Sequence, residues 1–404
     1  MDRAALRRAV LALGVGRGVG NASMRWLPLF LPTVARGFGA SLGTTTAVMG
    51  IGELFGLVGL VVGPIIERWG TRRVLLVGLA VIAAGNAVAG GGAGLAGVGV
   101  AVFGVGYATL MVGESLCFLS GQTWIGANVP AEVRSHYLGG YESSWALSLL
   151  LGAPLAAAAV ALWWAAPFWL WAALAAATGL ALVRFAPADA NRHRSPARRS
   201  GTRRPAAVGR TGWYLIGLAG SLMTGNIALV VVSGAWLERS HGFDTADLAV
   251  VAFVLGGAEF AASVVVGRAA DRIGARRSVV IGLVLCVVSA SAIALDAGPA
   301  ALAVAALTVF VCGFEFSFIT TLAVAVQRPA AEIARLMGTA AAAVTVARAA
   351  SAATAGPLFE RVGIGGVCTL TLGSLAVAAV LVRPATAGPA GAPLDRVGAT
   401  SGTG

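Results

Sequence analysis

Apolar residues in this chain come in long, nearly unbroken runs, and polar residues gather in the short segments between them. A membrane-crossing helix needs about 20 mostly apolar residues. Twelve stretches of that kind are centred near Gly20, Phe55, Val81, Val105, Leu150, Ala173, Thr224, Leu255, Leu285, Leu307, Val346 and Leu372. The pattern predicts an all-α integral membrane protein with twelve transmembrane helices in two six-helix, pseudo-symmetric bundles. Its expected parts are a first bundle over 1–184, a basic linker over 185–210, a second bundle over 211–384 and a tail over 385–404.

Composition excludes an ordinary soluble domain: the 404 residues are 58% hydrophobic and 11% charged, with a mean hydropathy of +0.85. A net charge of +12 would suggest nucleic acid as the partner of a soluble protein, but here all 29 basic residues are arginines and their placement follows the membrane. With the N-terminus inside, 23 fall in cytoplasmic segments: Arg3, Arg7, Arg8, Arg68, Arg72, Arg73, Arg134, eight from Arg184 to Arg210, Arg268, Arg272, Arg276, Arg277, Arg328, Arg335, Arg383 and Arg396. Only Arg36, Arg239 and Arg361 fall outside, and Arg17, Arg25 and Arg348 lie within helices. That asymmetry predicts a multi-pass protein of the cell's inner membrane with both termini cytoplasmic and no nucleic-acid partner.

The opening "MDRAALRRAVLALGVG" has the basic start and apolar core of a signal peptide. It reads instead as the first membrane helix, because apolar character continues to "WLPLFLP" without a small-residue cleavage site. Cys117, Cys286, Cys312 and Cys368 fall within predicted helices without metal-ligand spacing and read as packing residues. The stretch Arg184 to Arg210 reads as a solvated loop, with contact to anionic lipid headgroups as the alternative.

Two short charged segments are near copies: "GPIIERWGTRRV" from Gly63 and "GRAADRIGARRS" from Gly267, 204 residues apart. Other landmarks recur at almost the same offset, including Gly20 and Asn21 with Gly225 and Asn226, Glu114 with Glu315, and Pro154 with Pro357. The chain is therefore an internal duplication.

On these residues the chain resembles the major facilitator superfamily of secondary transporters. That family's loop between helices 2 and 3 runs Gly, three residues, Asp, Arg, any, Gly, any, and two Arg or Lys. Gly267, Asp271, Arg272, Gly274, Arg276 and Arg277 fit it fully; Gly63, Glu67, Arg68, Gly70, Arg72 and Arg73 fit it with Glu67 in place of Asp. The family's helix-5 Gly-Pro pair is present only in part, Ala153 separating Gly152 from Pro154. The Arg its antiporters carry near the start of helix 4 is absent from "VAVFGVGYATL". The resemblance thus speaks for fold more than for drug–proton antiport. It implies that the doubled loop acts as a clasp on one access state and that helices 1, 4, 7 and 10 line a central cavity. In the clasp, the glycines would let helix ends approach and the acids would accept hydrogen bonds.

Eight charges fall inside predicted helices: Arg17, Arg25, Arg348, Glu53, Glu114, Glu142, Glu259 and Glu315. Each costs about 2.5–3.5 kcal/mol on insertion scales, so each should face a cavity or another charge. Arg17, Asn21 and Arg25 share one face of helix 1; Tyr107, Glu114 and Phe118 share one on helix 4; Glu315 and Phe318 share one on helix 10. Arg17, Asn21, Arg25, Tyr107, Phe118, Asn226, Phe318 and Arg348 are the expected substrate cavity. Glu114 and Glu315, followed by Glu53 and Glu259, are the candidates for proton coupling. The alternative is structural: Glu114 and Glu315 as fixed ion-pair partners of Arg17, Arg25 or Arg348.

No nucleotide-binding or hydrolase motif is found, so no enzyme activity, metal or cofactor is expected. The expected function is proton-coupled secondary transport by alternating access, exporting a small organic compound such as a drug, sugar or metabolite, in a monomer surrounded by lipid. Proton-coupled uptake of a nutrient or organic anion, with Arg17, Arg25 and Arg348 as anion site, is the alternative. A transport-inactive receptor or assembly factor is the alternative of another class.

Overall fold

The computed structural model describes residues 3–185, 207–328 and 330–387. Most of the expected basic linker and tail therefore lies outside the described residues. Every regular element among the described residues is a helix. The first half comprises α1 (Arg3–Arg25, resumed after Trp26 as Leu27–Gly37), α2 (Leu42–Glu53, a tighter turn over Leu54–Val58, then Gly59–Trp69) and α3 (Thr71–Gly91). It continues with α4 (Gly99–Asn128), α5 (Ala131–Glu142 and Ser144–Leu162) and α6 (Ala166–Phe185). The second half comprises α7 (Arg210–His241), α8 (Thr245–Ile273), α9 (Ala275–Leu295) and α10 (Ala300–Val326). A last helical run, Ala330–Ala385, is divided at Gly363 (φ 70°, ψ −166°) into α11, 330–362, and α12, 364–385.

Ten helical runs are by themselves long and apolar enough to cross a membrane. Twelve spans follow once two features are resolved. Gly363 splits the longest run in two, and α1 is a span although Arg3, Arg7, Arg8, Arg17 and Arg25 dilute its hydropathy. Trp26 and Pro28 mark the break in α1: proline has no N–H for the helical ladder. The N-terminal segment is part of the bundle, packed on α4, α5 and α6.

The duplication extends to backbone geometry. Gly70 (φ 86°, ψ 156°) and Gly274 (φ 85°, ψ 147°) take nearly the same left-handed conformation at the starts of α3 and α9, which a side chain would strain. Close packing repeats as well. Gly78 and Gly113 let α3 and α4 touch backbone to backbone, and Gly282 and Gly313 do so for α9 and α10.

The halves meet along α2 against α11, α5 against α8, and the Leu27–Gly37 part of α1 against α7. One end of the bundle carries the arginine-rich loops and the other is arginine-poor. Toward the arginine-poor end the fit is tight. A Cβ on Gly234 would lie within 1.9 Å of the Leu29 carbonyl oxygen, and one on Gly50 within 2.5 Å of that of Ala349.

Candidate functional site

A cleft enclosing about 1020 Å³, its mouth included, lies between the halves. All four helices expected to line it contribute, and so do α2, α5, α8 and α11. Five carboxyl or guanidinium side chains border it: Arg25, Glu53, Glu259, Glu315 and Arg348.

Four of them form two ion pairs that cross between the halves in opposite senses. Arg25 of α1 donates from one nitrogen to both carboxylate oxygens of Glu259 on α8, at 2.6 and 2.9 Å, and from the other to the Trp145 carbonyl at 2.6 Å. Trp145 of α5 adds an indole N–H to Glu259 at 3.0 Å and lies under the guanidinium, 4.2 Å from ring centroid to Cζ. In the second pair Arg348 of α11 donates to both oxygens of Glu53 on α2, at 2.9 and 2.8 Å, and the Tyr107 hydroxyl adds 2.7 Å. Burial makes these contacts consequential, because a lone charge in such surroundings is costly and a bidentate, hydrogen-bonded pair offsets that cost. A third cross-half pair, Arg36 with Glu238 at 2.7 Å, sits at the arginine-poor end.

Glu315 is outside both pairs. It is 5% exposed, opens onto the cleft and stands within hydrogen-bonding reach of Glu259. Beside it Phe314 stacks on Phe318, centroids 5.2 Å apart. Phe314 borders the cleft; Phe318 is packed behind it, partly buried. Asn226 of α7 also lines the cleft, with a buried carbonyl oxygen that accepts no hydrogen bond.

Other residues expected in the cavity lie elsewhere. Arg17, 4% exposed, is enclosed in the first half, where it pairs with Glu142 at 2.8 Å and lies 4.7 Å from the ring centroids of Phe118 and Tyr141. Asn21 is fully buried on the same helix. Glu114 shares a face of α4 with Tyr107, but two turns on α1 covers that face, and one oxygen of Glu114 rests against Gly20. Neither Glu114, Arg17, Asn21 nor Phe118 borders the cleft, and the arginines that do border it pair with Glu53 and Glu259 rather than with Glu114 or Glu315. With Arg25 and Arg348 each held by two carboxylate oxygens, no unpaired guanidinium faces the cleft among the described residues.

One signal for the pairing residues was present in the sequence. Glu53 and Glu259 lie ten and eight residues before Gly63 and Gly267, so each falls on the helix that leads into one copy of the doubled loop. Trp145, legible only as an aromatic on α5, is half the cage around Glu259.

Of the doubled loop, Glu67 is exposed and Gly63 has open space about it. Arg72 donates to the Val183 carbonyl of α6. The side chain of Asp271 lies outside the described residues, whereas Arg272, Arg276 and Arg277 are exposed. The positive φ at Gly70 and Gly274, rather than close approach at Gly63, is the requirement for glycine seen here. Among the described residues no cluster of three or more His, Cys, Asp or Glu is arranged to hold a metal.

Two repeated helical bundles around a charged cleft are the architecture of a membrane carrier. A family model of the Major Facilitator Superfamily matches residues 13–357, and the chain belongs to that family; it is a multi-pass membrane transporter. Among solved structures, the crystal structure of a D-xylose-proton symporter superposes with a TM-score of 0.76 over 92% of this chain and 97% of that one. At 14% identity the likeness is one of fold. No curated protein matches the sequence.

Proposed function

We propose that this transporter couples protons to the export of a small organic compound across the inner membrane, as a monomer with its arginine-rich end in the cytoplasm. The observation that carries this reading is the reciprocal pair of cross-half ion pairs with Glu315 beside one of them. Rocking of the halves must part Arg25 from Glu259 and Arg348 from Glu53, and parting a buried pair with both charges intact leaves two uncompensated ions, each costly in such surroundings. A proton delivered to a carboxyl lowers that cost. A proton held by Glu259 and Glu315 is therefore linked to the access state. The tight packing and the Arg36–Glu238 pair toward the arginine-poor end support a state sealed on the outside, with the cleft reached from the cytoplasm.

Uptake by proton symport is the second reading, favoured by the fold shared with a sugar-proton symporter. Reconstitution in proteoliposomes with an imposed pH gradient and a broad compound panel separates them. Movement opposite to the proton flow is the expected result; co-movement establishes uptake instead, and no movement of any compound points to a receptor or assembly factor.

A further inference from the structure

The charges bordering the cleft do not balance. Two arginines, Arg25 and Arg348, face three acids, Glu53, Glu259 and Glu315. One positive charge is missing, and the carboxyl left over is Glu315, with Glu259, Cys312 and Arg25 as the titratable or charged groups acting on it. Much of the remaining hydrogen-bonding capacity is already engaged. Both guanidinium groups, the Trp145 indole and the Tyr107 hydroxyl are engaged, and Ser233 donates to the Val230 carbonyl. Asn226 keeps a free, buried carbonyl oxygen. The remaining wall is apolar and adaptable, with Met24, Met49, Met223, Leu255, Leu307 and Phe314.

Each feature removes a class of ligand. A sugar brings many hydroxyls, and this wall would leave most of them unpaired. An organic anion needs a free cation, and both arginines are held by carboxylates. What fits is an apolar body with one positive charge and one or more N–H donors, its charge on Glu315, its N–H on Asn226 and its face against Phe314.

We propose that the cleft takes an apolar compound bearing a single protonated amine, and that this ammonium and the proton occupy the Glu259–Glu315 carboxyl pair in turn. The inference rests on the transport reading above and gives its coupling a chemical form. When the ammonium binds, the proton shared by the two carboxyls leaves to solvent, so that the pair holds one cation and its net charge is unchanged.

The test uses the full chain in lipid nanodiscs with three ligands of one shape: 4-phenylbutylamine, 4-phenylbutanol and 4-phenylbutyrate. Expected is binding of the amine roughly tenfold or more tighter than either other compound, with release of about one proton per amine bound, followed with an indicator dye in weak buffer. Glu315→Gln, checked for an unchanged gel-filtration profile, should abolish both the preference and the proton release, and Asn226→Ala should weaken amine binding while proton release persists. Equal or better binding of the alcohol or the acid, amine binding without proton release, no amine binding, or a preference that survives Glu315→Gln would each overturn the proposal. Its failure is distinct from failure of the transport reading: liposomes that move D-xylose or an organic acid under a pH gradient would keep the transporter and discard the amine.

Discussion

Glu259 accepts three hydrogen bonds, two from Arg25 and one from Trp145, in a site where its side chain is 3% exposed. Removing one member of such a pair strands the other, at about 3–5 kcal/mol. We therefore expect Arg25→Gln and Glu259→Gln to lose thermal stability in detergent and much of their monodisperse yield, and the double variant to recover most of it. The same cycle on Arg348 and Glu53 should behave alike, while Tyr107→Phe, which removes one hydrogen bond to a charged acceptor, should cost less, about 1.5–3 kcal/mol. Double variants no better than the singles would mean that the pairs do not hold the charges in place. That these side chains are intramembrane charges was legible in the sequence; which acid meets which arginine was not. Helical period places Arg17, Asn21 and Arg25 on one face, but that face meets Phe118 and Tyr141 at Arg17 and the opposite half at Arg25. Helical period likewise puts Glu114 on Tyr107's face, and it does not show that α1 crosses that face at Gly20.

At the level of elements, length and apolar content were enough to find the spans, and the repeated glycines marked the turns between α2 and α3 and between α8 and α9. The interruptions were not legible. Nothing in "GELFGLVG" announces the tight turn over Leu54–Val58 just past Glu53, which depends on how α2 lies against α4 and α11. The two motif glycines give a sharp contrast. Gly70→Ala and Gly274→Ala place a side chain at φ 86° and 85°, and each should cost about 1–3 kcal/mol, seen as a lower melting temperature. Gly63→Ala meets open space and should leave the melting temperature nearly unchanged. Equal effects at Gly63 and Gly70 would contradict the assignment. For the acids of the loop we expect Asp271→Asn to slow transport with little loss of expression and Glu67→Gln to slow it less, since the first copy already departs from the family pattern. Full transport by the Asp271→Asn protein would reduce the second motif to a topology signal.

On the scale of the whole molecule, the duplication makes two similar halves, and a transporter needs them to exchange one closed end for the other. The arrangement described here is joined toward its arginine-poor end, where Arg36, its side chain 64% exposed, reaches Glu238. If that end is external and must open in every cycle, fixing it shut should stop transport without unfolding the protein. We expect a variant carrying Arg36→Cys and Glu238→Cys, bridged by a short thiol-reactive cross-linker, to lose pH-driven transport and to regain it when a cleavable linker is reduced. The four native cysteines are buried or half-buried within helices, so each single-cysteine variant treated alike is the control. A cysteine placed at Asn226 should still react with a polar thiol reagent supplied from the arginine-rich side of the bridged protein, because the proposed function has the cleft reached from that side. Continued transport with the bridge in place would show that the halves do not part at Arg36 and Glu238. Loss of reagent access to position 226 would show that the sealed arginine-poor end does not belong to a state open on the other side.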